Sequence, residues 1–409
     1  MPAMKPFRAW RYSGTDLLTV TAPPYDVLSD SDAAHYRELS PHNIIHVDLP
    51  APIPSGYAQA GATLHAWMGD GTLIRDVTPT LTLYRLNFTD ATGAARSILG
   101  ALGAIPVTDY GKGTVLPHEN VTAKASTDRL DLTRATQTNL SPVWGLSLAC
   151  GLADVLQVAW DDAVAAGAVP DGLTEAGVTH EVLPIADTST VEAIGAVMAS
   201  ADVLIADGHH RYGVAQRYRD EVRAARAYGT PSASTAAPTD SPAEWTLMFV
   251  SELAPKQLCI EAIHRVYDGV PFEVLRDALA TGFELSHAPE PSPALLAEMT
   301  AFGRLVLLAP DGSATWMTPR PGTFDDLRAL DGLWLEHCLA DVDGLTVTYE
   351  HNLDDVLAGL PRHSGAVLIR PTSIDEIHRT ATQGLLMPPK STFFTPKLRT
   401  GLVLRTLDE

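Results

Sequence analysis

The sequence predicts an α/β or α+β protein with a mixed sheet. Short apolar runs with strand character alternate with amphipathic helical segments along the chain, and clusters of turn residues separate them. The length of 409 residues exceeds the usual size of one domain. We expect a first unit over residues 1–228, a flexible linker or loop rich in Ala, Ser, Thr and Pro over 229–243, and a second α/β region over 244–409.

In the first half of the chain, apolar periodicity and turn residues define the predicted elements. Strands are predicted over residues 17–21, 43–48, 81–88, 98–105, 140–148 and 203–206. Residues 29–32 are candidates to cap the first of the helices, which are predicted over 33–39, 57–68, 127–139, 149–166 and 191–200. Residues 114–120 are expected to form a polar loop.

In the second half, strands are predicted at 245–253, 258–266, 365–370 and 401–404. A hairpin is predicted from residues 304–308 and 313–318 around a turn at 310–312. Helices are predicted over 272–281 and 374–383. No internal repeat or heptad pattern is present in the sequence.

The charge balance argues against several classes of function. Acidic residues outnumber basic ones by 49 to 29, which gives a formal net charge of −20. Broad binding to nucleic acid or to anionic membranes requires clustered Lys and Arg, and no helix-turn-helix with a basic recognition helix stands out. No run approaches the roughly 20 apolar residues of a membrane span. A small anionic ligand still fits if the few basic residues converge on one cleft.

The cysteines and the N-terminal residues indicate the compartment. Cys150, Cys259 and Cys338 lie far apart in the sequence, which suits a reducing environment. The first eight residues lack the apolar core of a signal peptide. We therefore expect a cytoplasmic protein, while the sequence does not determine the oligomeric state.

The segment of residues 203–218 carries the strongest functional signal. The apolar run at its start predicts a buried strand, Asp207 and Gly208 form a turn, and a helical pattern follows. Asp207 is expected to cap this helix, and Gly208 lets the backbone approach a ligand closely. The N–H groups of the first helical turn, together with three basic side chains, predict a phosphate or carboxylate site; these side chains are His209, His210 and Arg211.

The alternative at this segment is an ordinary junction of a strand, a turn and a helix. One histidine would then bond a carbonyl, and Arg211 would pair with a surface carboxylate for little energy. The glycine-rich phosphate loops GxxxxGK[ST] and GxGxxG are absent from the sequence.

Four further polar clusters are candidates for the site. Tyr25 and Asp26 follow two prolines, where an ordinary turn aspartate is the alternative. His118 and Glu119 form a loop pair in which either could act as general base, unless the loop is merely solvated. His264 and Arg265 end a predicted apolar strand, where a charge pair on an edge strand is the alternative. The fourth cluster lies in a C-terminal tail interrupted by prolines, where ordinary surface lysines are the alternative; it contains Lys390, Ser391, Thr392 and Lys397.

The clusters share basic side chains although the protein is acidic overall, and this asymmetry favours a phosphate-bearing ligand. The side chains are Arg129, Arg134, Arg211, Arg265, Lys390 and Lys397. The absence of HExxH or Cys/His spacing in the sequence argues against zinc. The absence of a GxSxG elbow argues against a Ser-His-Asp hydrolase.

Two long motifs in the sequence are unusual, and several shorter ones accompany them. The long motifs are Ala206-Asp-Gly-His-His-Arg-Tyr212 and Met387-Pro-Pro-Lys-Ser-Thr-Phe-Phe-Thr-Pro-Lys397. The shorter ones lie at residues 5–8, 23–27, 118–119, 128–130, 140–142 and 264–265. With these motifs the chain resembles the DUF1015 family, which is related to archaeal and bacterial free-serine kinases with a ParB/sulfiredoxin-like nucleotide-binding core.

The resemblance implies a kinase that transfers a phosphoryl group from ADP or ATP to a hydroxyl of free serine or a similar metabolite. Mg²⁺ would bridge the phosphates, and no protein metal site is predicted. Glu119 is the first candidate for the catalytic base, followed by Asp26, with His118 beside them. Tyr25, His264 and Arg265 would contact the acceptor. The phosphates would bind Arg129, Asp207, Gly208, His209, His210, Arg211, Lys390, Ser391, Thr392 and Lys397.

The chain departs from the family pattern at two places, and other functions stay open. Pro117 stands where family members often carry an Arg before the His-Glu pair, and residues 120–124 replace a more basic stretch. One alternative is a ParB-like switch that binds and hydrolyses a nucleotide. The other is a non-enzymatic sensor that binds a metabolite and a protein partner.

Overall fold

The computed structural model describes residues 2–53, 55–90, 93–109, 113–117, 125–227, 241–255, 257–388 and 390–407. Two compact units are present: one is Met1–Leu258 with Pro396–Glu409, and the other is Cys259–Thr395. Helices pack on a β-sheet in each unit, and the first sheet mixes parallel and antiparallel pairs. The predicted α/β class with a mixed sheet is therefore confirmed. No helix within the described ranges is long and apolar enough to cross a membrane.

The first unit is built around a sheet that has eight strands among the described residues. The first two strands in space pair in parallel, as do the third and fourth, and the other neighbours are antiparallel. In spatial order the strands are Val115–Leu116, Val203–Asp207, Val143–Ser147, Trp245–Glu252, Ala95–Pro106, Leu81–Thr89, Val178–Ile185 and Asp171–Glu175. The strand of the Asp207 motif is thus flanked on both sides, and its carboxyl end presents Asp207.

Helices and small strand pairs complete the first unit. One continuous apolar core joins the sheet to the helices Leu152–Ala165 and Thr188–Met198, and a second core gathers N-terminal helices around Leu64. The remaining helices are Leu17–Val20, Asp30–Leu39, Ile45–Asp48, Gly56–Asp70, Ala125–Thr136 and His209–Ala227, with 3₁₀ turns at Tyr25–Val27 and Pro242–Glu244. The strand pairs are Trp10–Tyr12 with Leu73–Arg75, and Thr138–Asn139 with Arg405–Thr406.

Two predicted strands of the first unit are helices instead. Residues 17–21 contain the helix Leu17–Val20, whose N-cap Asp16 accepts a hydrogen bond from the Leu18 N–H. Residues 43–48 contain the helix Ile45–Asp48, where the Asn43 side chain accepts from the Ile45 N–H. Both predictions were wrong because a short, mostly apolar segment does not distinguish the helical period from the strand period. The side chains of Asp16 and Asn43, which bond the first helical N–H groups, favour the helix in both segments.

The boundary of the second unit also differs from the expected one. The strand Trp245–Glu252 pairs with two strands of the first sheet. The first unit therefore extends to Leu258, and the chain returns to the first unit at Pro396. Residues 229–240 of the expected linker lie outside the described part of the chain. Its last residues, 241–243, pack against the first unit, where Ser241 and Ala243 are buried.

The second unit has an antiparallel sheet with six strands in its described residues. Alternate side chains of its strands face two different cores: Leu305 and Leu307 face one, and Val306 and Leu308 face the other. In spatial order the strands are Phe283–His287, Ala314–Pro319, Leu305–Leu308, Gly365–Leu368, His264–Asp268 and Thr346–Glu350. The helices are Phe272–Leu279, Pro293–Phe302, Asp331–Leu339, Leu353–Gly359 and Ile374–Thr382, with a 3₁₀ turn at Leu360–Arg362.

Three predicted strand regions of the second half differ in how closely they match the structure. The hairpin over 304–318 is confirmed. Residues 258–266 form two strands rather than one, since Cys259–Glu261 leaves the main sheet to pair with Phe393–Thr395. Residues 401–404 are not a strand either, apart from one bridge between Leu404 and Trp10.

Candidate functional site

The turn after the strand Val203–Asp207 brings the strongest sequence motif into one place. Gly208 has a φ of +85°, and a Cβ atom there would lie 3.0 Å from Cζ of Arg211, so both the backbone and the packing favour glycine. The helix begins at His209. Gly208, and not Asp207, therefore immediately precedes the helix, and the expected capping role of Asp207 is wrong. His209 and His210 lie half-buried in the first turn.

The Asp207 carboxylate instead holds two cationic side chains. Nη2 of Arg211 donates to Oδ2 at 2.7 Å, and Nζ of Lys397 donates to Oδ1 at 3.0 Å. Burial alone would raise the pKa of Asp207, but Lys397 and Arg211 outweigh it and hold that pKa well below its usual range. The carboxylate therefore stays charged near neutral pH.

Arg211 links this turn to the N-terminal segment. Its Nη1 donates to the Pro142 carbonyl, and its Nη2 lies 4.0 Å from Oδ2 of Asp26. Its Nε is buried and has no hydrogen-bond partner among the described residues. Burial would lower the pKa of Arg211, but Asp207 and Asp26 raise it. Asp26 remains 37% exposed, so it can still reach a ligand.

A second arginine, Arg129, pairs with the buried carboxylate of Asp48. Nη1 of Arg129 donates to the Asp48 carbonyl at 2.7 Å and lies 3.3 Å from its Oδ1, while Nε donates to Asp128 at 3.0 Å. The Arg129 guanidinium lies over the Tyr25 ring at 4.1 Å. Oδ2 of Asp48 is buried without a hydrogen-bond partner among the described residues. Burial raises the pKa of Asp48, against the effects of Arg129 and Arg211.

Tyr25, Asp48, Arg129 and Arg211 line one pocket of the first unit. Burial, with the neighbouring Asp26 carboxylate, raises the pKa of Tyr25 to about 12, although Arg211 and Arg129 oppose that rise. Its hydroxyl is therefore a neutral hydrogen-bonding group at physiological pH. Asp48 was not predicted from the sequence. It ends an apolar run just as Asp207 does, and that placement is the signal that could have identified it.

The tail that carries Lys397 is fixed by Arg399, another residue that sequence reasoning missed. Nε and Nη2 of Arg399 donate to Oγ1 and the carbonyl of Thr21, at 2.9 and 2.8 Å. Its Nη1 forms an ion pair with Glu175, which also accepts from the Tyr36 hydroxyl at 2.9 Å. A bidentate anchor two residues away therefore sets the position of Lys397.

The charges of this cluster are nearly balanced. Among the described residues it contains three cationic groups and four carboxylates: Arg129, Arg211 and Lys397, with Asp26, Asp48, Asp128 and Asp207. Because Asp207 engages both Arg211 and Lys397, an incoming anion must compete with that carboxylate. Of the basic residues that the sequence singled out, Arg129, Arg211 and Lys397 belong to this cluster, whereas Arg134 pairs with Asp131 and Glu221. The cluster has no surplus of positive charge.

The remaining predicted site residues lie elsewhere. His118 and Glu119 lie outside the described residues. Arg265 belongs to the second unit, where it donates to the carbonyls of Ile263 and Lys390. In the same unit, His264 is 2% exposed, and its Nδ1 accepts from the Ile369 N–H at 3.3 Å. Burial, with Arg265 and His351, lowers the pKa of His264 to about 4, so it is neutral at pH 7.

The C-terminal motif is divided between the two units. Lys390 and Ser391 belong to the second unit, where the Ser391 hydroxyl donates to the Pro388 carbonyl at 2.7 Å. Thr392 follows them there and is half-buried. Lys397 belongs to the first unit and contacts Asp207.

Comparison with known proteins identifies the family. The model of a family described as "Protein of unknown function (DUF1015)" matches residues 4–333, most of the chain. The chain belongs to the DUF1015 family. No curated protein sequence is significantly similar to this DUF1015 protein.

Solved structures to which this chain is similar include a free serine kinase. A mutant of that kinase in complex with AMP is 11% identical, with a TM-score of 0.38; the alignment covers 71% of this chain and 89% of the kinase. A conserved hypothetical protein from Pyrococcus furiosus is 12% identical over 71% of this chain and 92% of its own, with a TM-score of 0.36. C-terminally truncated SbnI from Staphylococcus aureus is 13% identical over 73% and 85%, with a TM-score of 0.37. At this identity no residue correspondence follows.

Proposed function

We propose that this DUF1015 protein is a nucleotide-dependent small-molecule kinase that phosphorylates a hydroxyl of free serine or of a similar metabolite. The supporting observation is a cluster of charged side chains from distant segments of the first unit. Asp48, Arg129 and Arg211 line one pocket, Asp207 and Asp26 lie beside Arg211, and Lys397 pairs with Asp207. Burying so many charges opposes folding unless they are well paired, and such clusters concentrate at functional sites.

The phosphates of the nucleotide would bind at the turn before the helix His209–Ala227. The first-turn N–H groups of a helix favour anions, and Arg211 and Lys397 lie at the same turn. Since Asp207 already engages both cations, phosphate would replace or share these contacts. His209, His210 and Gly208 complete the proposed phosphate site.

Asp26 is the carboxylate best placed, within the described residues, to act as general base. It is partly exposed and only loosely paired with Arg211, whereas Asp207 and Asp48 are bonded to cations. The base would take the proton of the acceptor hydroxyl while the hydroxyl oxygen attacks the terminal phosphorus of the nucleotide. The bond to the bridging oxygen then breaks, and ADP leaves from ATP or AMP from ADP. Glu119 and His118 remain candidates for the same role, and Tyr25 would help orient the acceptor.

Mg²⁺ would reach this site with the nucleotide. The described residues contain no group of three or more His, Cys, Asp or Glu side chains that could hold a metal ion. This donor set fits an ion held mainly by phosphate oxygens and water, with one or two carboxylates such as Asp26. Bound in this way, Mg²⁺ would offset the charge of the phosphates. Because ADP and ATP are its proposed co-substrates, we place the protein in the cytoplasm.

The predicted roles of the second-unit residues stay predictions. Lys390, Ser391 and Thr392 as phosphate ligands, and His264 and Arg265 as acceptor ligands, require the second unit to contribute to the same reaction. The proposal for the first unit does not depend on them.

A turnover assay tests the proposal. The protein is incubated with L-serine, Mg²⁺ and either ATP or ADP, and ³¹P NMR follows the formation of O-phosphoserine. We expect product with at least one nucleotide. Asp26→Asn and Glu119→Gln are compared, and the variant that removes the base should lose turnover but keep nucleotide binding. Arg217→Ala, an exposed change on the helix of Arg211, serves as control. Nucleotide binding without any phosphorylated product would overturn the kinase and favour a sensor.

A further inference from the structure

The second unit contains a pocket of its own. It has a volume of about 260 Å³ and lies between the strands His264–Asp268 and Thr346–Glu350 and the helix Asp331–Leu339, all within this unit. Drug-sized ligands usually occupy pockets of roughly 300–1,000 Å³. The volume therefore suits a ligand of amino-acid size better than a nucleotide.

A positive and a negative side chain face this pocket. Arg265 is 5% exposed; its guanidinium lies 4.7 Å from the centre of the Tyr349 ring and donates to the Lys390 carbonyl at 3.2 Å. These contacts hold the guanidinium in one orientation. Glu336 lines the pocket from the helix. Burial raises the pKa of Tyr267, Arg265 opposes this rise and Glu336 adds to it, so both charges act on the same hydroxyl.

The rest of the wall is mostly apolar. Leu335 and Leu339 line the pocket from the helix. Val347 lines it from the strand Thr346–Glu350, and Leu345 lines it from the position just before that strand. Val347 is 41% exposed although it is a large aliphatic side chain. A ligand with an aliphatic part would cover this surface and remove it from water.

We propose that this pocket binds a free α-amino acid with an apolar side chain. Arg265 binds the carboxylate, Glu336 binds the ammonium group, and the side chain packs against Leu335, Leu339 and Val347. A purely anionic ligand would be repelled by Glu336, whereas an amino acid offers a carboxylate to Arg265 and an ammonium group to Glu336. This inference goes beyond the kinase proposed for the first unit and does not depend on it.

Ligand analogues test the two charged contacts on the full-length protein. L-leucine is compared by thermal shift and calorimetry with 4-methylpentanoate, which lacks the ammonium group, and with 3-methylbutylamine, which lacks the carboxylate. Leucine should raise the melting temperature by mass action, and each analogue should bind about tenfold more weakly or worse. Equal binding of all three, or no shift with any of them, would overturn the proposal.

Variants of the pocket separate a specific site from general stabilisation. Val347→Trp should fill the pocket and abolish leucine binding, whereas Thr348→Trp points to the opposite face of the strand and should not. Glu336→Gln should weaken leucine on the order of fivefold while leaving 4-methylpentanoate unaffected or improved, because only leucine carries an ammonium group. Leucine binding that survives Val347→Trp, or that is insensitive to Glu336→Gln, would contradict the assignment.

Discussion

The two lysines of the C-terminal motif lie close in sequence and have different surroundings. Lys397, on the tail that belongs to the first unit, donates to the Asp207 carboxylate at 3.0 Å. Lys390 belongs to the second unit; its carbonyl accepts a hydrogen bond from Arg265, and its φ is +61°. A motif that is continuous in sequence is thus divided between an ion-pair cluster and a backbone anchor.

The two motif arginines show the same division. Arg211 has the carboxylates of Asp207 and Asp26 near its guanidinium. Contacts of Arg265 include two carbonyl groups and the Tyr349 ring. An arginine beside carboxylates can exchange them for phosphate, as we propose for Arg211. The contacts of Arg265 with carbonyl groups and a ring fix the orientation of its guanidinium.

The largest expected effect comes from removing Arg211 from the ion-pair cluster of the first unit. Arg211→Ala should lower the free energy of unfolding by about 3–5 kcal/mol, because it leaves the Asp207 and Pro142 groups without this partner. Denaturant unfolding followed by tryptophan fluorescence measures the change. Arg217→Ala, on the exposed side of the same helix, should stay within about 0.5 kcal/mol. Equal effects of the two variants would show that Arg211 is not held in a buried pair.

A pH titration sharpens the comparison, since the described part of each unit contains a buried, neutral histidine. Burial, helped by Arg399, lowers the pKa of His180 to about 3, and burial, helped by Arg265, lowers that of His264 to about 4. Unfolded histidine titrates near a pKa of about 6.5. Below that pH the unfolded state binds more protons, so stability falls on acidification until the folded pKa is reached.

Each histidine should therefore remove about 2 kcal/mol of stability by pH 5 relative to pH 7.5. Melting temperatures between these pH values measure the loss. His180→Asn and His264→Asn should each be less stable at pH 7.5 but show a shallower dependence on pH. If the melting temperature of either variant depends on pH as steeply as that of the unaltered protein, the replaced histidine does not contribute to the pH dependence of stability.

The smallest predicted effect concerns the two lysines themselves. Lys397→Met should weaken ADP binding about tenfold, because it removes one charge-assisted contact to the phosphates. Lys390→Met should cause a smaller loss, since Lys390 belongs to the second unit, whereas Lys397 contacts Asp207 at the proposed phosphate site. Isothermal titration with ADP and Mg²⁺ measures both. Equal losses would contradict the division of the motif between the units.

Local patterns predicted the parts of the site that one segment builds. The strand Val203–Asp207 and the turn at Gly208 follow from an apolar run and a positive-φ glycine, and the structure has both. Tyr25, Arg129 and Lys397 also lie at the first-unit cluster, as the family motifs suggested.

Long-range partners could not be predicted in this way. Asp48 was missed because its segment was interpreted as a strand, and its bond to Arg129 joins residues 81 positions apart. Arg399 reaches Thr21 across 378 positions, and no local pattern signals such a contact. Arg219 is only 2% exposed despite its charge, and Val107 and Asp109 accept its hydrogen bonds. These partners lie on segments far apart in the sequence that meet only in the folded unit.

The most direct test of the central claim is nucleotide binding at the Asp207 turn. Thermal shifts with AMP, ADP and ATP, each with and without Mg²⁺, are measured on the unaltered protein and on Arg211→Lys, which keeps the charge but loses the planar fork. We predict a rise in melting temperature with at least one nucleotide and a clearly smaller rise in the variant. No shift with any nucleotide, or equal shifts in both proteins, would contradict phosphate binding at this cluster.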